Sequence, residues 1–197
     1  MKERTRDACT IEAYHFLLDQ CDLGNFYGRR NYLCIFYLWH IGLRLGELFH
    51  LKWKQVIELR DNGSAMIFEP RTKSHKEIFI SSTGRQWLRD NEWAISFSAE
   101  YPDVGLHRSI HGRPLLHLSV LRDFNILLRE AGNHFNIKLR SHSFRISLVN
   151  RLLENAGPAA ARDVIGHKFI STTMRYSSAR ARGRTKRSEK LWIMSHI

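Results

Sequence analysis

"DVIGHKFISTTMRYSSARARGRTKRSEK", residues 163–190, decides how the chain is read. A Gly-His pair at 166–167 breaks a helical run, a Ser-Thr-Thr run follows, and Tyr176 stands nine residues after His167. A dense basic tail comes next. Pro158 suits the first turn of the helix "PAAARDVIG", Gly166 ends it, and Ser171 is placed to cap the short helix that holds Tyr176. A lone tyrosine on such a helix is ordinarily a packing residue, so its meaning depends on what surrounds it.

Working outward, the upstream segments repeat a helical grammar. "SHSFRISLVNRLLENAG" (141–157) and "SVLRDFNILLREAG" (119–132) each run from a serine cap to a glycine. "STGRQWLRDNEWAISF" (82–97) has aromatic and aliphatic residues at helical spacing. Near the start, Thr10 caps "IEAYHFLLDQC". "RRNYLCIFYLWHIG" then reads as a buried helix stopped at Gly42, and the short helix "RLGELFHL" follows. Between the helical groups, "VIELRDNGSAMIFEPRTKSHKEIFIS" (56–81) holds three short β-rich runs separated by Asn-Gly and a charged turn. The expected fold class is therefore mainly α with a small three-stranded antiparallel β-sheet, an α+β arrangement in one domain.

The chain has 197 residues, enough to bury a core without metals or disulfides. Lys and Arg total 31 against 19 Asp and Glu, a formal charge of +12 with a pI near 10.1, which points to a polyanionic partner. Cys9, Cys21 and Cys34 are odd in number and lack zinc-binding spacing, so free thiols in a reducing, intracellular setting are expected. No window has the apolar length needed to cross a bilayer, and no membrane partner is expected.

Four places carry polar residues that folding does not require. In "GLRLGEL", Arg44 follows the glycine break among apolar neighbours, with Glu47 one turn later on the same face. In "RTKSHKEIFI", Lys73 sits at the tip between two strands. In "SHSFRIS", His142 and Arg145 are three apart near a helix N-terminus, the end that attracts anions. The fourth is the opening stretch with His167 and Tyr176. Each has a plain structural reading taken singly; together they form a chemical kit for a phosphodiester.

The order of these boxes resembles the tyrosine recombinase or phage integrase family over roughly residues 10 to 180, and "IGHKFISTTMRYSS" is similar to that family's Leu-Gly-His, Ser-Thr-Thr and Tyr box. The resemblance implies a tyrosine recombinase catalytic-domain-like fold over 1–179 with a basic C-terminal tail at 180–197. It implies Arg44 and Arg145 as the arginine pair, Lys73 as the hairpin lysine, His142 and His167 as the two histidines, and Tyr176 as the nucleophile. Ile146 departs from the family, which often has a basic residue or histidine there, and Ile165 stands where leucine is usual. At this length, the family's separate N-terminal clamp domain is not expected in the chain.

The chemistry agrees with the resemblance. Tyr176 would form a 3′-phosphotyrosine that conserves the bond energy, so that resealing needs no ATP. Arg44 and Arg145 would bind non-bridging oxygens, Lys73 would protonate the 5′-oxygen, and His142 would act as base for the incoming hydroxyl. His167 would bind phosphate or orient the arginines. No metal or other cofactor is implied. Arg71, Lys76, Arg140, Lys168 and Arg175 lie beside these residues and are the expected DNA-tracking cations. The expected function is site-specific cutting and rejoining of double-stranded DNA, by a homo-oligomer, a tetramer, on paired sites, in the service of integration or recombination of a mobile element. Type IB topoisomerase-like relaxation and a non-catalytic DNA-binding regulator remain as alternatives. The tail "ARARGRTKRSEKLWIM" suits either docking on a neighbouring subunit or lying along DNA.

Overall fold

Leu33 through Trp39 are all buried, which makes the helix that carries them the centre of the molecule rather than an amphipathic face. The computed structural model describes residues 7–69, 72–96, 103, 105, 117–166 and 169–180, with the side chains at 117–120, 175 and 177–180 outside that description. Its elements are α1 (Ile11–Asp19), α2 (Phe26–Ile41), α3 (Leu45–Leu48), α4 (Trp53–Asn62), β1 (Ser64–Glu69), β2 (Ser74–Phe79) and α5 (Ser82–Asp90). A 3-10 turn (Glu92–Ile95), α6 (His117–His134), α7 (Ser141–Asn155), α8 (Gly157–Ile165) and α9 (Ile170–Arg180) complete them. The class is helical with a small antiparallel sheet, as expected.

Helix α2 packs on α1 and on α7, and α7 in turn holds α8 and α9. One cluster unites Leu17, Ile35, Leu38, Leu48, Val56, Leu59, Ile67, Phe124 and Phe144. A second, formed by Leu148, Val149 and Ile165, has Tyr176 packed against it, so α7 and α8 together seat the helix that carries Tyr176.

The sheet differs from expectation. Among the described residues it has two strands, β1 and β2, paired antiparallel from Ser64↔Phe79 to Glu69↔Ser74. The first of the three β-rich runs, "VIEL", lies inside α4 instead. Trp53, Val56 and Leu59 recur at helical spacing and are all buried there, and this one-sided burial outweighs the β-branched pair Val56-Ile57. Lys52 N–H donates to Gln55 Oε1 at the start, Gly63 closes the end at φ 83°, and Gln55 Nε2 ties the helix to Met66 O of β1 at 2.6 Å.

Several boundaries also move. Helix α6 runs through Gly132 to His134, α7 is preceded by Arg140 rather than capped by Ser141, and Ser171 lies inside α9 instead of capping it. At α7 the Ser143 hydroxyl takes the Arg140 N–H at 3.0 Å, so the cap is made from within the first turn. Thr10 caps α1, Gly42 and Gly166 close α2 and α8 in the left-handed conformation, and Pro158 sits in the first turn of α8, as expected. The three cysteines are free and buried, and among the described residues no helix is long and apolar enough to cross a membrane.

Candidate active site

Two helix C-termini and one helix N-terminus converge on Arg145. Its side chain is 2% exposed, the largest of the fully buried side chains among the described residues. Nη1 donates to Gly42 O at 2.8 Å and Nη2 to Ile165 O at 2.9 Å. These carbonyls belong to the C-terminal ends of α2 and α8, where helices leave acceptors unsatisfied and carry partial negative charge. One guanidinium therefore fixes the end of α2, just before Arg44, and the end of α8. Burial lowers the Arg145 pKa and Arg44 adds to this, while Glu47 and Tyr176 favour the charged form. A guanidinium with so high a starting value stays charged.

Glu47 is the hub of the cluster. It is 2% exposed, it accepts the Arg44 N–H on Oε2 at 2.8 Å, and its Oε1 takes Arg44 Nη1 at 2.6 Å and Lys76 Nζ at 2.9 Å. Arg145 Nη1 stands 4.0 Å from Oε2. Burial alone would raise the Glu47 pKa, but Lys76, the Arg44 N–H and Arg145 outweigh it and hold the carboxyl below its ordinary value. Glu69, the last residue of β1, takes Arg44 Nη1 at 2.9 Å. Three cations thus face two carboxylates, leaving the cluster net positive by one, an arrangement ready for an anion.

Tyr176 Oη lies 3.1 Å from His142 Nε2, across 34 residues of sequence and within one chain. With the His142 proton on Nδ1, Nε2 accepts from the phenol. His142 and Arg145 share the first turns of α7, so α7 carries the partner of the tyrosine on the same helix as the buried arginine.

Of the expected catalytic residues, Arg44, His142, Arg145 and Tyr176 are brought together around α7. Lys73 sits in the turn between β1 and β2, exposed, at φ 52°, a left-handed conformation that costs a lysine about 1 kcal/mol. His167 lies outside the described residues. Of the expected DNA-tracking cations, Arg140 is exposed beside the start of α7, while Arg71, Lys168 and the Arg175 side chain lie outside the described residues. Lys76 is a different case: its side chain is 15% exposed and turned inward onto Glu47, and burial lowers its pKa. Sequence reading missed Glu69 and placed Lys76 on the surface. Strand alternation was the available signal, because Glu69 shares the inward face of β1 with Ala65 and Ile67. Among the described residues no group of three or more His, Cys, Asp or Glu side chains is placed to hold a metal ion.

The phage integrase family model matches residues 11–182, and the chain belongs to that family. Among curated relatives, the tyrosine recombinase XerD of Staphylococcus aureus strain N315 is 25% identical over 185 residues, covering 87% of this chain and 57% of the relative. XerD of Staphylococcus haemolyticus is 25% identical over 190 residues, 89% of this chain and 59% of the relative. The chain therefore spans less than two thirds of the length of these relatives. In fold it is similar to XerA recombinase, with a TM-score of 0.67 at 17% identity over 93% of this chain and 66% of that one. It is likewise similar to a lambda integrase dimer bound to a COC′ core site, at 0.66 and 17%, over 96% of this chain and 53% of that one.

Proposed function

We propose that this protein is a site-specific DNA recombinase or integrase that breaks and rejoins strands through Tyr176. The observation that carries the reading is the 3.1 Å approach of Tyr176 Oη to His142 Nε2 beside the arginine cluster. The family match, and the lambda integrase homologue of known structure on its core-site DNA, support the same substrate class.

In this mechanism Tyr176 Oη attacks the scissile phosphorus as its proton passes to His142. The bond to the 5′-oxygen breaks, and Lys73 on its turn supplies the proton to that leaving oxygen. Arg44 and Arg145 hold the non-bridging oxygens as charge builds on the phosphorane, and His167 assists at the phosphate. A 5′-hydroxyl from a second strand then attacks the 3′-phosphotyrosine and expels Tyr176. Neither step consumes ATP, because one phosphodiester is exchanged for another. The catalytic unit comprises residues 1–179, working as a tetramer on paired sites with the basic segment 180–197 along DNA or on a neighbouring subunit, and the protein acts inside the cell.

Strand exchange between two labelled duplexes carrying candidate sites tests this reading. Recombinant products that require both sites, form in EDTA and vanish in Tyr176→Phe are expected. Relaxation of a one-site plasmid without exchanged products would identify a topoisomerase instead.

A further inference from the structure

Glu69 is a carboxylate on the inward face of a strand, a position that is costly unless the charge is paired. Its oxygen meets Arg44, 25 residues earlier, and it meets one particular nitrogen. Arg44 Nη1 carries two hydrogens, and Glu47 Oε1 at 2.6 Å and Glu69 Oε1 at 2.9 Å take both. Nε and Nη2 of Arg44 have no hydrogen bond to any other described residue, and the side chain is 32% exposed. The two carboxylates therefore grip one end of the guanidinium and leave the Nε–Nη2 edge, a fork that matches two phosphate oxygens, without a partner among the described residues.

We infer that Glu69 is a positioning residue for the strand-cleaving reaction, acting through Arg44; the inference rests on the function proposed above. Glu47 alone cannot supply this orientation. It lies in α3, three residues from Arg44 at that helix's N-cap, so it moves with it. Glu69 comes from the sheet and pairs across the ladder with Ser74, the residue next to Lys73. It thus references Arg44 to the hairpin that carries the expected proton donor, and sets two groups that must meet one phosphate in a common frame. Removing Glu69 leaves Arg44 charged and tied to Glu47 but no longer referenced to the sheet, which weakens catalysis more than binding.

The test uses a nicked duplex that traps the covalent adduct, with adduct formation measured in a single turnover at saturating protein and DNA affinity measured separately. Glu69→Ala is expected to slow adduct formation by about ten-fold or more with affinity unchanged or tighter, since a negative charge has left the site. Glu69→Gln keeps an acceptor at the same reach and is expected to recover to within about three-fold of wild type. Glu69→Asp keeps the charge, withdraws the oxygen by one methylene, and is expected to cleave more slowly than Glu69→Gln. Thermal melts report folding of each variant, and the Asp and Gln pair carries the test if the alanine variant does not fold. Cleavage by Glu69→Asp as fast as wild type, or Glu69→Gln no better than Glu69→Asp, overturns the inference. A wild type that forms no adduct on any nicked duplex fails earlier, at the proposed function itself.

Discussion

Replacing Arg145 by lysine separates what this residue does for the fold from what any cation would do. In the wild type the guanidinium joins Gly42 O at 2.8 Å and Ile165 O at 2.9 Å while 2% exposed. Hydrogen bonds from charged donors contribute about 1.5–3 kcal/mol each. A lysine ammonium is a point donor on a flexible stem and cannot reproduce the fork that spans the ends of α2 and α8. One carbonyl is left buried without its donor, so Arg145→Lys is expected to lose about 2 kcal/mol. For a chain of this size that lowers Tm by roughly 4–8 °C. Urea titration should show a lower midpoint at unchanged slope, since the fold itself persists. Tyr176→Phe, which removes a half-buried hydroxyl, should cost about 1 kcal/mol or less. If Arg145→Lys unfolds at the wild-type midpoint, the two carbonyl contacts do not hold the ends of α2 and α8.

Further expectations follow from other sites. His40 is half-buried between Tyr14 Oη at 3.2 Å and Ser81 Oγ at 2.6 Å, and desolvation, assisted by Arg151, lowers its pKa to about 3. Because the folded value lies below the unfolded one, the unfolded chain protonates first as pH falls. Stability should therefore drop by about 2 kcal/mol between pH 7 and pH 5, a loss that His40→Gln would reduce; equal pH slopes in the two proteins refute it. Gly42→Ala forces alanine to φ 70° and drives its Cβ to 2.6 Å from Leu148 Cδ2, whereas Gly157→Ala at φ 81° meets nothing within 4 Å. The first should cost roughly 2 kcal/mol and the second about 1 kcal/mol in urea denaturation, and equal costs contradict the packing described. Arg140→Ala, at an exposed cation beside α7, should reduce the log-log salt slope of DNA binding by about 0.9 without altering sequence preference.

The helices were legible in the sequence where a local rule sufficed. Thr10 before α1, Gly42 after α2 and Pro158 at the start of α8 each act through the backbone of their own turn. The run "VIEL" was misread because its β propensity is local, whereas the burial of Trp53, Val56 and Leu59 against one core is tertiary. The candidate site divides along the same line. His142 and Arg145 share α7 at a spacing visible in the sequence, and so do Arg44 and Glu47. Glu69 and Lys76 come to Glu47 and Arg44 across the hairpin, and their inward orientation depends on a register that no short motif records. The binding of Arg145 to Gly42 and Ile165, 103 and 20 residues away, was equally invisible.

The proposed attack of Tyr176 on DNA would leave a covalent adduct. Its most direct measurement is incubation with nicked or supercoiled DNA carrying candidate sites, in EDTA, followed by denaturing electrophoresis and mapping of the linked peptide. The expected product is a covalent adduct that joins a 3′-phosphate to Tyr176, leaves a free 5′-hydroxyl, and is absent in Tyr176→Phe. An adduct that survives Tyr176→Phe, or DNA binding at low salt with no adduct on any substrate, would contradict it.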